Sequence, residues 1–508
     1  MNKSRLKNVA MMTAMMSVLA ACGGGSDVSI NDAAPRLLSL KQVAAPNVPD
    51  VEAKPSFHRM PLSVSAPSDT DADGQGMSAY HAPDIVRTPS DLAGLTTKGL
   101  TDEKVDKYRS EQRSKTQSSG SGGIAAPAAT STSSVVYTPA QIRAAYNLPA
   151  TSGATAANLG AGQTIYIVDA YSHPKAVSDL NYFSKQFGLP TCTQVAVPSS
   201  STSLPPASTS SCTISVLYST PTGAMTSTAP AYNSGWAQEI ALDTQWAHSI
   251  APLARIVLIE AASASLADLD GAIMLANKFG SGAVSMSFSA AESSWVNLSV
   301  YSSALFSTRG VSYFAATGDS GTAVNWPAVI STVVGVDGSS LSYTTSSRSE
   351  KTWSGTGGGI SAYVTMPTYQ TKLNISGEPS SGAKFRAVGD VSMDADPYTG
   401  VYVAFTASTA TSTSWYAFGG TSLATPMWAA AVAVANANRA AYGYGTLSAP
   451  HAKLYGMLAS NYSSTFYDIT LGSNGTCISC YATIGYDVPS GLGSPHSNYL
   501  LPYLSSAL

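Results

Sequence analysis

Glu239 and Asp243 stand four residues apart in a stretch, Gln186 to Ala254, that holds no other charged residue. On a helix that spacing makes the two carboxylates neighbours on one face, where like charges oppose joint ionisation. Trp236 and Trp246 flank them on the same side and lower the local polarity. Such a pair can share a proton and act as a base, or it can be an ordinary solvated acidic face. A second place is Phe418-Gly-Gly-Thr-Ser422-Leu-Ala-Thr-Pro426, where a serine follows a Gly-rich turn and opens an apolar run. There a hydroxyl can attack a carbonyl while helix N–H groups face the developing oxyanion, although a plain N-cap fits the position equally well. Asp319, in Ala316-Thr-Gly-Asp-Ser-Gly321, reads by itself as a turn residue.

The elements that must position these groups alternate between strand and helix. Short apolar, β-branched runs at 163–169, 255–260, 283–287, 311–316 and 332–336 predict buried strands. Helices are expected at 175–187, 236–249, 266–279, 296–307 and 422–440, the last strongly apolar and therefore buried. Alternation of this kind predicts an α/β fold, a parallel sheet covered by helices on both faces.

The Ser422 motif resembles the nucleophile segment shared by the subtilisin and sedolisin peptidases. Subtilisin-type enzymes use a His followed by Gly as base, and none of the six histidines here precedes Gly. Sedolisins, the serine-carboxyl peptidases, keep the subtilisin-like fold and replace that His by Glu. Trp236-Ala-Gln-Glu-Ile-Ala-Leu-Asp243 is similar to their Glu-x-x-x-Asp helix, and the Asp319 segment to their oxyanion aspartate motif. Tyr137-Thr-Pro-Ala-Gln-Ile-Arg-Ala-Ala-Tyr146 resembles the start of their catalytic domain, and Asp390-Val-Ser-Met-Asp-Ala-Asp396-Pro-Tyr-Thr-Gly400 a further family segment. The resemblance runs from about Tyr137 to Pro495. It implies a subtilisin-like parallel sheet and an acid-active endopeptidase working through an acyl-enzyme, with Ser422 as nucleophile and Glu239 as base. Asp243 would be the partner of Glu239, and a protonated Asp319 the oxyanion donor. It also implies a Ca2+ site from the carboxylates of Asp468 and Asp487 and the carbonyls of Ile469, Thr483 and Gly485. Two turn aspartates are the plainer reading of that pair. The chain departs from the family pattern at Phe288, where many relatives have Trp, and at Asp169, where several have Glu. Two further readings stay open: an inactive peptidase-like surface-binding lipoprotein, and a subtilisin-type serine peptidase.

The chain has 508 residues, of which 11% are charged, and a formal net charge of −3. Charge is less than half of the usual ~25%. No basic stripe is available to neutralise phosphates, so nucleic acid is not an expected partner; a peptide or protein substrate is. Lys3, Arg5 and Lys7 precede an apolar run that ends at Ala21, too short to span a bilayer, which reads as a signal peptide over 1–21. Leu19-Ala-Ala-Cys22-Gly resembles a lipobox, so Cys22 is expected to carry lipid and to be the sole membrane attachment. The protein is then a monomeric exported lipoprotein at the outer membrane, cell surface or periplasm, or is released outside after processing. The four other cysteines pair by proximity in sequence as Cys192–Cys212 and Cys477–Cys480, as an oxidising compartment allows. A redox or zinc C-x-x-C is the alternative for the second pair. Residues 22–135 read as a tether or pro-segment, with low complexity at 116–134, and 136–508 as the peptidase domain. Self-cleavage near 120–136 is an open expectation.

Overall fold

A computed structural model describes residues 50–67, 81–118, 133–344, 347–378 and 382–507. The signal segment and Cys22 lie outside the described residues. A large sheet organises the body. Across it run Ser347–Thr352, Val333–Thr344, Val311–Ala316, Gly282–Met286, Thr164–Ala170, Arg255–Ala261, Thr213–Ser219 and Thr193–Gln194. Every neighbouring pair from Val333–Thr344 to Thr193–Gln194 is parallel. Only the Ser347–Thr352 edge of that path runs antiparallel.

Alternate side chains of the central strands feed two separate cores, as a two-residue period requires. Ile165, Ile167, Ile256 and Leu258 pack into one core, with the helices Ser234–Ile250 and Thr421–Ala441. Tyr166, Val168, Val257 and Ile259 pack into the other, with the helix Leu266–Phe279. With both faces covered, the strands lose the polar alternation of a half-exposed sheet, which is why they read as continuous apolar runs.

The expected strands and long helices stand within one or two residues of their sequence positions, except that the strand expected at 332–336 continues to Thr344 as Val333–Thr344. One helix differs: 296–307 folds as a short 3-10 turn, Ser294–Asn297, and a π turn, Val300–Ala304. Both Cys192–Cys212 and Cys477–Cys480 are bonded. No described helix is long and apolar enough to cross a membrane.

The described residues on both sides of position 135 belong to one compact unit. The described residues before 119 carry two strands, Lys54–Pro55 and His58–Val64, a third at Asp84–Arg87, and the helix Asp102–Ser118. The densely charged run from Asp102 to Lys115 lies within that helix. Asp102 there pairs with the fully buried Arg59 at 2.9 Å.

Candidate active site

The helix that carries Glu239 is capped by Asn233, whose side chain accepts from the N–H groups of Gly235 and Trp236. It runs through the core rather than along the surface, so Glu239 and Asp243 are fully buried. None of the six carboxyl oxygens of Asp169, Glu239 and Asp243 accepts a hydrogen bond of good geometry from a described donor. Burial, then the charges of Asp243 and Asp169, push Glu239 well above the ordinary carboxylate range, while the nearby Ser422 hydroxyl favours its charged form. Asp243 is raised by burial too, against the Ser287 hydroxyl and the Glu239 carboxyl beside it. Asp169 is raised by burial and by the charges of Asp243 and Glu260.

Ser422 is the second residue of the helix Thr421–Ala441. Gly420 before it has φ +102°, a conformation open to glycine and strained for other residues. Ser422 is fully buried, and its hydroxyl donates to the Ser287 carbonyl at 3.1 Å. Asp319 lies on the other side. Its Oδ1 accepts from the Thr421 N–H (2.9 Å) and the Thr421 hydroxyl (2.7 Å), while Oδ2 is buried and unpartnered. Burial pushes Asp319 up to about 7, against the Thr421 hydrogen bonds and the Lys98 charge. The structure therefore brings Ser422, Glu239, Asp243 and Asp319 into one cluster.

The sequence marked Asp169 as a departure from the family pattern, but it did not mark Glu260 as part of this buried acidic group, nor Thr421 as the residue that orients Asp319. They also gave no sign of what fills the cleft, which is the chain's own segment from Val51 to Val64. Lys54 and Pro55 pair antiparallel with Ser289 and Phe288, and the Ser56 N–H donates to the Ser287 carbonyl at 3.1 Å. The Ser56 carbonyl accepts from the Ser422 N–H at 3.0 Å. A side chain at Gly420 would meet that carbonyl oxygen at 2.3 Å, so glycine is what lets the strand come this close. His58 Nε2 stands 3.5 Å from Asp319 Oδ2. Burial, aided by the Lys98 charge, pushes the His58 ring down to about 3, so it is neutral and this contact is not an ion pair. Lys98 Nζ donates to the Asp319 carbonyl at 2.7 Å.

Asp468 and Asp487 also come together. Asp468 accepts from the Gly485 N–H (3.0 Å) and the Tyr462 hydroxyl (2.9 Å), and Asp487 from the Thr483 N–H (2.8 Å) and Ser490. Burial, and in smaller part the Asp468 charge, push Asp487 upward. The Asp468 and Asp487 carboxylates, with the Gly485 carbonyl that shares the Tyr462 hydroxyl with Asp468, are hard oxygen donors of the kind that fits Ca2+. The one cluster of three metal-type ligands among the described residues, Cys192, Cys212 and His248, has both sulfurs in a disulfide.

Fold and site together define a subtilisin-like α/β body with a serine, three carboxylates and a peptide strand in its cleft. The chain is similar to kumamolisin from Bacillus sp. (strain MN-32), 30% identical over 293 residues that make up 52% of this chain and 50% of that protein. It is also similar to sedolisin from Pseudomonas sp. (strain 101), 32% identical over 200 residues, 36% of this chain and 30% of that one. The alignment thus spans about half the length of kumamolisin and less of sedolisin. A solved structure of Pseudomonas sedolisin, a serine-carboxyl proteinase complexed with two molecules of pseudo-iodotyrostatin, superposes with a TM-score of 0.56 at 22% identity. That match covers 73% of this chain and 98% of the other, and it shows the shared fold. No family model matches the chain.

Proposed function

We propose that the protein is a serine-carboxyl endopeptidase of the sedolisin type, active in acid. One observation carries the reading: a peptide carbonyl, that of Ser56, sits on the Ser422 N–H, beside Asp319 and within the cluster that holds Glu239. In this reading the Ser422 hydroxyl turns from Ser287 to Glu239, loses its proton there and attacks the carbonyl carbon. Asp243 holds Glu239 and shares its proton, which keeps one carboxylate basic in a site where two charges would repel. The free Oδ2 of Asp319, protonated, and the Ser422 N–H stabilise the oxyanion.

Calcium bound by Asp468, Asp487 and the neighbouring carbonyls would neutralise the two carboxylates and brace the C-terminal loop; no catalytic step runs through it. Two disulfides fit export into an oxidising compartment with Cys22 as a lipid anchor. The test is hydrolysis of an unstructured protein at about pH 4 by acid-incubated wild type, Ser422→Ala and Glu239→Gln. Ser422→Ala is expected to lose roughly 10⁶-fold, the loss seen when a subtilisin-type serine is removed. Glu239→Gln is expected to lose about 10²–10⁴-fold, the range for a general base. Activity that survives both substitutions would sink the reading.

A further inference from the structure

The segment through the cleft does more than block it. Its N-terminal half is gripped from both sides: the Ala53 N–H donates to the Ala264 carbonyl at 2.9 Å, and the Val51 carbonyl accepts from the Leu266 N–H at 3.0 Å. Opposite, Lys54 and Pro55 pair with Ser289 and Phe288, and the Ser56 hydroxyl lies 3.2 Å from that of Ser289. Beyond the Ser422 N–H the strand continues on a different wall, with His58 opposite Gly419 and Arg59 opposite Phe418, again antiparallel. Phe57 is fully buried, its ring 5.7 Å from that of Phe418. The Ser56–Phe57 bond thus lies where the two halves of an extended substrate would meet, with its carbonyl on a backbone donor of the nucleophile.

We propose that Ser56–Phe57 is cut by the chain's own Ser422, and that Phe57 becomes the N-terminus of the catalytic body. The inference rests on the peptidase reading of Ser422. Ser422 Oγ adds to the Ser56 carbonyl carbon as its proton passes to Glu239. The C–N bond to Phe57 then breaks, and the leaving amine takes that proton. Water attacks the resulting ester, restores the Ser422 hydroxyl and leaves a Ser56 carboxyl group.

The two sides of the cut part differently. Val51–Ser56 is held by main-chain hydrogen bonds, the two-residue Lys54–Pro55 pairing and only small buried side chains, those of Ala53 and Ser56, so it can leave and take with it everything upstream, Cys22 included. Phe57–Val64 stays, anchored by its ladder to Ser414–Gly419, by buried Phe57 and Met60, and by the Arg59–Asp102 pair. That half of the cleft remains filled until this strand also peels away, so the cut precedes activity on added peptides and is separable from it.

The experiment takes the full chain from about pH 8 to about pH 4 and follows intact mass and N-terminal sequence, with a fluorogenic peptide added in parallel. The expected result is a product beginning at Phe57, formed at a first-order rate independent of protein concentration and absent in Ser422→Ala. Phe57→Pro, which makes the bond an imide and misplaces it, should slow the cut by roughly 10²-fold. Hydrolysis of the added peptide by a chain still intact at 56–57, or a Phe57 end that persists in Ser422→Ala, would overturn the proposal and leave the peptidase reading standing. Neither cut nor hydrolysis anywhere between about pH 3 and 8 would overturn both.

Discussion

Asp390 and Glu239 are both fully buried, and what faces each of them differs. Asp390 meets the Arg386 guanidinium at 2.6 Å, the Tyr455 hydroxyl at 2.6 Å and the Gly335 N–H at 2.7 Å. Burial alone would raise its pKa, but Arg386 and His451 together outweigh burial and hold it below the ordinary carboxylate range. Arg386 in turn donates to the carbonyls of Ala328 and Val333. Glu239 meets other carboxyl groups and, among the described residues, no cation, so burial and like charge act in the same direction. The first arrangement stabilises an ion and fixes a loop; the second stores protons next to a hydroxyl. Sequence resemblance flagged both segments alike, and the counter-charge separates their roles.

Removing the counter-charge relation from the first cluster should give the largest change. Asp390→Ala strands a buried guanidinium, and chemical denaturation should report a loss of about 3–5 kcal/mol. The corresponding deletion in the second cluster should spare the fold and strike the rate. Asp319→Ala is expected to lower kcat by about 10²–10³-fold, the range for one oxyanion donor, with the Thr421 N–H freed at the helix start. Equal damage to stability and rate in both variants would erase the distinction.

The smallest effect is on the pH dependence of stability. Asp319 and Glu260 are each pushed up to about 7 by burial. A carboxyl whose folded pKa exceeds its unfolded value favours the fold fully below the unfolded pKa, and that contribution is lost as pH rises through the folded one. The Tm should therefore fall between about pH 4 and 7, and Glu239→Gln, which removes one of the repelling charges, should flatten that fall. A Tm that rises over this window in wild type would contradict the assignment.

Much of this contrast was legible in residue order. Apolar runs of strand length and the apolar helix after Ser422 fix the layered body, because buried parallel strands are apolar on both faces. Glu239 and Asp243 stood out because their surroundings hold no other charge. The pairing of Arg386 with Asp390 was not legible as an ion pair, although the two are four residues apart. They belong to a strand and the turn that follows it, and burial of both is a tertiary property. The stretch 296–307 misled because helical spacing of apolar residues survives in its two short turns. The cleft strand escaped notice for another reason. Val51–Val64 has no periodic pattern of its own, since its side chains face two different walls and its N-terminal half is held mostly through the main chain.

The central claim is that protons held by unpaired buried carboxylates drive acyl transfer at Ser422. The direct measurement is kcat/KM for peptide hydrolysis by the acid-incubated protein from about pH 3 to 9. The account predicts a fall as pH rises towards neutrality, with the alkaline limb no higher than about 7, where Asp319 loses its proton. A kcat/KM that instead climbs through pH 6 to 8 and levels off, as with an imidazole base, would contradict it.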